Sequence, residues 1–409
     1  MNEDKNIFTN RNYIEVLTYI YRNRRISRAD LARTTGLTPA TVSHVVSELE
    51  KADIIRKTGH GESKGGRRPI LIELNPHAFY LAGVDLGITK VNATVIDLHG
   101  TLLSRVKNPV DARDKRDIII SCMFETARQA FTRAGDQVRK KVIGIGLSVS
   151  GLVNIERGVS IFAPNIPDWQ NVPIAELFRK EFSIPAFIEN DARAMALGEA
   201  RFGAGFGYDN IFCVNIGHGI GSGILIGGEL YRGNAFTAGE FGHLTLLPSG
   251  PYCQCGNRGC LEVMAGGHAI AASAIRCVNA GAKTAIRDIV EGKIHEITAA
   301  VVSQAAQRGD STAVRLLQEA GRYLGIGLAG AVNILGPELI IIGGGVAQSG
   351  DVLLDEIKKT ISKRAFTTMV NKPSIVLSAL GENASSIGAA ALVLSRTLKN
   401  PSTFALRNP

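Results

Sequence analysis

The chain has no run approaching twenty uninterrupted apolar residues, so no segment reads as a membrane-spanning helix. Its first residues, Met1-Asn2-Glu3-Asp4-Lys5, lack the basic-then-apolar order of a secretory leader, and the expected compartment is the cytoplasm. Cysteine is scarce, with six in 409 residues, and the spacing is either metal-like or isolated, which argues against a disulfide framework and for a reducing environment. Acidic residues are outnumbered, 37 against 46 Lys and Arg, and the resulting net charge of +9 is compatible with a polyanionic partner. Where that charge sits carries more information than its sum.

What the chain does have is length and apolar content. With 45% hydrophobic residues over 409 positions it can bury a sizeable core, and two or three domains are expected. The most informative stretch runs from Glu240 to Glu262. Glu240-Phe241-Gly242-His243 is followed, nine residues later, by Cys253-Gln254-Cys255-Gly256-Asn257-Arg258-Gly259-Cys260-Leu261-Glu262. One imidazole and three thiols are the donor set of a closed tetrahedral zinc site, and Gly256 and Gly259 let the chain double back so that Cys260 meets the Cys253/Cys255 pair. Free thiols beside a core histidine are the alternative reading. Cys122, Cys213 and Cys277 stand singly among apolar residues and read as ordinary buried thiols. A metal that pins this loop also pins Glu240 and Glu262, and fixed carboxylates suit a polyhydroxylated ligand.

The first seventy-six residues read differently. Ile14, Leu17 and Ile20 are spaced as one helix face, and Ser27-Arg28-Ala29-Asp30 opens a second, short helix that stops at Gly36. Thr38 caps a third helix with Pro39 at its first position, and Val42, Val45, Val46 and Leu49 form its inward face. Helix, glycine turn, helix is the helix-turn-helix layout, whose second member enters the major groove. Thr38, Ala40, Thr41, Ser43, His44 and Ser47 line its outward, N-terminal side and are small or polar enough to approach base edges. Residues 54–58 and 70–74 read as two strands around a Gly/Ser/Lys loop, which makes the motif winged. Between Arg56 and Arg68 five basic residues (Arg56, Lys57, Lys64, Arg67, Arg68) face one acid, Glu62. Gly65-Gly66-Arg67-Arg68-Pro69 can lie extended in a narrow minor groove, where arginine is favoured, or can be a solvated charge run.

After Asn75-Pro76 the pattern becomes long apolar strands and glycine turns, so the expected division is 1–76 and 77–409. Residues 81–97 and 213–226 each read as a strand, a glycine turn and a returning strand, an apparent internal duplication. Such turns can cradle phosphate or simply close a hairpin. Asn190-Asp191 ends a strand before a helix, either as its cap or as part of a ligand site. Alanine-rich helices alternate with strands at 339–342 and 375–378 in the last third, an α/β pattern.

These motifs together resemble the ROK family of repressors and sugar kinases, and the likeness spans nearly the whole chain. It rests on Glu240-x-Gly-His243, on Cys253-x-Cys255-Gly-x-x-Gly-Cys260-x-Glu262, on Asn190-Asp191 and on the two glycine hairpins. The resemblance implies a winged helix-turn-helix followed by an α/β actin-like, two-lobed sugar-kinase fold. It implies structural zinc on His243, Cys253, Cys255 and Cys260, and a sugar held by Asn165, Asn190, Asp191, Glu240, His243 and Glu262. Kinase members usually read Asp-x-Gly-Gly-Thr in the first hairpin, where this chain has Ile88 for the second glycine. In the second hairpin His218 takes the usual threonine place and Ser222 a glycine place. A branched residue resists the backbone angles that wrap a phosphate, so a non-catalytic reading is preferred. The implied function is a repressor of sugar uptake or catabolism genes. It would bind double-stranded operator DNA as a homodimer, or as a tetramer, under control of a sugar or sugar phosphate. The alternative is an ATP-dependent sugar kinase with an appended DNA-binding module, in which Asp191 would be the catalytic base.

Overall fold

The computed structural model describes residues 11–62, 68–111, 113–366 and 372–399. The chain divides into two compact units, residues 1–190 with 386–409, and residues 191–385.

The first unit opens with α1 (Arg11–Asn23), β1 (Ile26–Ser27), α2 (Arg28–Thr35), α3 (Pro39–Lys51), β2 (Ile55–His60) and β3 (Ile70–Leu74). Local chemistry sets these boundaries. The Ser27 hydroxyl oxygen accepts from the Asp30 N–H at 3.1 Å, Gly36 ends α2 at φ +71°, and the Thr38 side chain accepts from the Thr41 N–H at 3.2 Å. Val16, Ile20, Leu31, Val42, Val46 and Leu49 are fully buried, which packs the three helices into one small core. The strands pair antiparallel in the order β1-β3-β2, and the two-residue β1 is an element that sequence periodicity does not signal.

Glu73 is the buried polar centre of this sheet. Its carboxylate accepts from Arg25 Nε at 3.1 Å and from Arg56 Nε at 2.9 Å. Burial alone would raise its pKa, but the hydrogen bonds from Arg56 and Arg25, with the nearby charge of His99, outweigh that and hold it below the ordinary carboxylate value. A depressed carboxyl contributes stability above its unfolded pKa and loses it as pH falls through the folded value, so this contribution fades below about pH 4.3. Glu73→Gln is expected to destabilise the full-length protein by about 1–2 kcal/mol at neutral pH. That is the lower part of the usual range because both guanidinium groups can rehydrate. Urea titrations at pH 7 and pH 4 check it, with the difference from the parent smaller at the lower pH.

The passage into the next sheet is hydrogen-bonded on both sides. Asn75 donates its N–H to Ile54 O at 2.9 Å and its amide to Asp53 O at 3.0 Å, while the His99 ring Nε2 lies 3.1 Å from Leu74 O. There follow β4 (Tyr80–Leu86), β5 (Lys90–Asp97), β6 (Leu102–Pro109), α4 (Arg116–Ala134), α5 (Asp136–Lys140) and β7 (Val142–Val149). A small sheet of β8 (Leu152–Asn154), β9 (Val159–Phe162) and β10 (Gln170–Val172) precedes α6 (Ile174–Phe182) and β11 (Ala186–Asn190). The main sheet runs β11-β7-β4-β5-β6, parallel between β11, β7 and β4 and antiparallel beyond.

The second unit begins at α7 (Asp191–Phe202) and contains β12 (Ile211–Ile216), β13 (Ile220–Ile226), β14 (Glu229–Tyr231), α8 (Leu261–Ala265), α9 (Gly267–Asn279) and α10 (Ala285–Ile289). α11 (Ala299–Gln307), α12 (Ser311–Leu335), β15 (Leu339–Gly343), α13 (Asp351–Arg364) and β16 (Ser374–Leu377) complete it. Its sheet order is β14-β13-β12-β15-β16, with β12, β15 and β16 parallel. The 25-residue α12 is capped by Asp310 and ended by Gly336 at φ +54°, and its Leu316, Leu317, Leu324 and Leu328 enter the core. α14 (Ala384–Lys399) is the last helix among the described residues, and from Ser386 onward it packs on the first unit's main sheet at Gly83 and Gly146. A Cβ at Gly83 would fall 1.8 Å from Ser386 O, and one at Gly146 would fall 1.7 Å from Ala389 O, so only glycine permits this approach.

Candidate functional site

In the second unit the Cys/His stretch folds as a knuckle. The Leu246 N–H donates to Gly259 O at 2.8 Å, the Cys253 N–H to Asn257 O at 2.8 Å, and the Gly256 N–H to Cys253 O at 3.0 Å. Gly256 (φ +93°) and Gly259 (φ +62°) make the reversal, and a Cβ at Gly259 would lie 1.7 Å from Leu247 O. The reversal brings the ligand atoms of His243, Cys253, Cys255 and Cys260 within 4.8 Å of one another. Cys253 Sγ lies 3.6 Å from His243 Nδ1, and Cys255 Sγ lies 3.6 Å from Cys260 Sγ. Bonds of about 2.3 Å to sulfur and about 2.0 Å to nitrogen in a tetrahedron give edges of about 3.8 Å (S–S) and about 3.5 Å (S–N), so the donor set fits zinc. Burial first, then the neighbouring Cys255 and Cys253, push the Cys260 thiol up to about 12, so without a cation it stays a neutral thiol, and metal binding would have to release its proton. The expectation for the remaining cysteines needs correction. Cys213 is buried, but Cys122 and Cys277 are only half-buried, because each sits near the edge of a helix's packed face.

The segments that carry the two flanking carboxylates are held by separate means. Glu240 precedes a 3₁₀ turn at Phe241–His243 in which the His243 N–H donates to Glu240 O at 3.0 Å, and Phe241 packs edge-on against Phe212 at 5.2 Å. Glu262 Oε2 accepts from the Ile220 N–H at 2.9 Å, and a Cβ at Gly219 would fall 2.1 Å from that oxygen. Glu262 therefore depends on the glycine of the second hairpin. Asp191 is the first residue of α7, where the helix dipole favours a carboxylate. His243, Arg193, Asp191 and Glu262 all act electrostatically on Glu240, so these charged groups lie in its neighbourhood within the second unit. Glu240 keeps accessible surface as a residue, yet desolvation of its carboxyl leads the causes that raise its pKa. His243 turns Nδ1 to the thiols.

Asn165 and Asn190 belong to the first unit. Asn190 ends β11 and donates its amide to Gly151 O at 3.2 Å, and half-buried Asn165 lies in the turn between β9 and β10. Asp191, Glu240, His243 and Glu262 belong to the second. In the first hairpin Ser148 donates to Asp85 at 2.7 Å, beside the Gly87-Ile88-Thr89 turn. In the second, His218 sits at the turn with its ring 5.3 Å from that of His268, and its pKa is lowered by burial first and then by His268.

Thr38, the N-cap of α3, is exposed, as are Ala40 and His44 on the helix, whereas Thr41, Ser43 and Ser47 are half-buried. The Thr38 and Thr41 hydroxyl oxygens lie 2.9 Å apart, so Thr38 is engaged in capping. Two of the five wing-side basic residues are paired, Arg56 with Glu73 at 2.8 Å and Lys57 with Glu50 at 3.6 Å. Arg68 is exposed, whereas Lys64 and Arg67 lie outside the described residues.

Two residues that the sequence reading did not connect to the site are Arg193 and Ser222. Arg193 could have been suspected as a lone cation in the alanine-rich start of a helix.

Comparison with known proteins covers both parts of the chain. A winged helix-turn-helix DNA-binding family matches residues 10–56, and the ROK family matches residues 81–396. The xylose repressor of Caldicellulosiruptor bescii is 33% identical over 95% of this chain and 97% of its own length. The glucokinase of Streptomyces coelicolor is 36% identical over 76% of this chain and 96% of its own. A crystal structure of a ROK family transcriptional regulator, a homologue of the Escherichia coli MLC protein, superposes with a TM-score of 0.79 at 28% identity, covering 96% of this chain and 99% of that one. The match across three quarters of the sequence, with the Cys/His knuckle, the whole of the second five-stranded sheet and all but Tyr80 of the first inside it, places this chain in the ROK family.

Proposed function

We propose that this protein is a sugar-responsive transcriptional repressor. The observation that carries the reading is a winged helix-turn-helix joined in one chain to a ROK region, an order shared over nearly the full length with a xylose repressor. Residues 1–76 form the DNA-binding module and 77–409 the sugar-binding region. Thr38, Ala40, Thr41, Ser43, His44 and Ser47 face the major groove, and Arg67 and Arg68 the adjacent minor groove. Asn165, Asn190, Asp191, Glu240, His243 and Glu262 bind the sugar, whose hydroxyls donate to the carboxylates and accept from the amides. Zinc on His243, Cys253, Cys255 and Cys260 is structural, and its contribution is to fix the segment between Glu240 and Glu262. Two copies bind a palindromic operator, since two-fold protein symmetry matches paired half-sites. Among the described residues no helix is long and apolar enough to cross a membrane. An operator-DNA partner supports a cytoplasmic location.

The test is operator affinity at fixed salt, using DNA upstream of the protein's own gene, with and without D-xylose, D-glucose and their phosphates. A change of about 5- to 150-fold for one of them is expected, the usual range of an allosteric coupling. The second reading, a sugar kinase, is favoured by the glucokinase likeness. Ile88, His218 and Ser222 stand against it. Turnover with ATP and magnesium above about 1 s⁻¹, the low end for kinases, together with sugar-indifferent operator binding, would establish it instead.

A further inference from the structure

The segment from Tyr231 to Glu240 links the edge strand β14 to the first of the two knuckle-flanking carboxylates. It is not held by regular structure. Gly233 (φ +68°), Phe236 (φ +58°) and Gly239 (φ +89°) all take left-handed backbone angles, and at Phe236 a side-chain-bearing residue does so. The Ala238 N–H donates to Arg232 O at 3.1 Å, which closes the segment into a loop. Such a conformation persists only when its surroundings over-determine it.

Two side chains from elsewhere in the same unit supply that constraint. Arg193 lies two residues after Asp191 in the first turn of α7 and is 2% exposed. Its Nη1 donates to Phe236 O at 2.8 Å and to Ala238 O at 3.4 Å. Ser222 on β13 is 3% exposed and donates its hydroxyl to Gly239 O at 2.8 Å. A Cβ at Gly239 would lie 2.8 Å from Ser222 O, so strand and segment are already in close contact. A planar guanidinium presents several donors in fixed directions, and burying one against main-chain carbonyls fixes the backbone that carries them. The segment is thus bonded from one side to the helix that begins with Asp191 and from the other to the strand of the second hairpin.

We infer that Arg193 and Ser222 are positioning residues that set sugar affinity by locking Glu240 in register with Asp191, without touching the ligand themselves. The inference rests on the proposed sugar site and assigns a role to Ser222, whose departure from the kinase pattern is otherwise unexplained. Two carboxylates meet adjacent hydroxyls of a polyol only if their separation is fixed to within about half an ångström. Arg193 connects the two carboxylate-bearing segments directly, and Ser222 removes the remaining freedom of the hinge at Gly239.

The test uses the full-length protein and two readouts. Hydrogen exchange read by mass spectrometry reports the segment itself. Arg193→Gln and Ser222→Ala are expected to speed exchange over residues 232–240 at least tenfold while exchange over residues 253–260 stays as in the parent. Calorimetric titration with D-xylose and D-glucose reports the ligand site. For whichever sugar the parent binds, Arg193→Gln is expected to weaken binding at least tenfold, Arg193→Lys less, and Ser222→Ala about fivefold. In the double variant the losses should combine to less than their product, because both act on one segment. If Arg193→Gln fails to fold, Arg193→Lys and Ser222→Ala carry the same comparison. Unchanged exchange over 232–240, or unchanged sugar affinity in a variant whose segment has loosened, would overturn the inference. A parent that binds neither sugar counts against the proposed function instead, and exchange alone then decides whether the clamp exists.

Discussion

Chelating the proposed zinc, or replacing Cys260 by Ala, should lower the thermal midpoint of the full-length protein by about 10 °C. Structural zinc sites contribute roughly 10–16 kcal/mol to zinc-finger peptides, where they hold almost the whole fold. Here the knuckle is backed by a separate core that includes Phe241, Leu261 and Leu328. About 3–5 kcal/mol is therefore the expected loss, and at roughly 2–4 °C per kcal/mol for a unit of this size it gives the stated shift. The damage should extend to sugar binding, because Glu240 and Glu262 flank the knuckle and Glu262 fixes the Ile220 amide. Metal analysis, calorimetry and sugar titration check the prediction together, with Cys277→Ser as a control outside the cluster. Less than about 0.1 zinc per chain in a protein of unchanged stability and sugar affinity would remove its basis.

The second large effect concerns DNA. Replacing Ala40 and His44 together by Glu should weaken operator binding by about 10³-fold, down to the level of non-specific binding. Both residues are exposed on α3, and neither contributes to the buried set Val42, Val45, Val46 and Leu49. Ala40 lies in the first turn, where an added carboxylate suits the helix dipole, so the fold should survive. Fluorescence anisotropy at stated salt measures the loss, and unchanged melting and sugar titration show that it is local. A double variant that still binds the operator within threefold of the parent would mean that α3 does not read the groove.

The boundaries of α2 and α3 were legible because capping is local: Ser27, Gly36, Thr38 and Pro39 act within three or four residues of themselves. The Cys/His set was legible because metal-ligand spacing is almost as local, with Gly256 and Gly259 marking the reversal. The two-residue β1, and the three-stranded sheet of β8, β9 and β10, were not read. Strands of two to four residues are too short for alternation to register, and partners elsewhere in the chain define them. Counting basic residues in the wing overstated the free charge, since Glu73 and Glu50 engage Arg56 and Lys57.

By itself the sequence determined the helix-turn-helix, the α/β character of the remainder, the Cys/His cluster and the two glycine hairpins, because each is written in neighbours a few positions apart. Only the tertiary structure decided that Arg193 and Ser222 grip the segment before Glu240, that Glu262 leans on Gly219, and that α14 fits against Gly83 and Gly146. Those contacts join residues from about 17 to about 300 positions apart, and no local periodicity or cap encodes which distant backbone a side chain will meet.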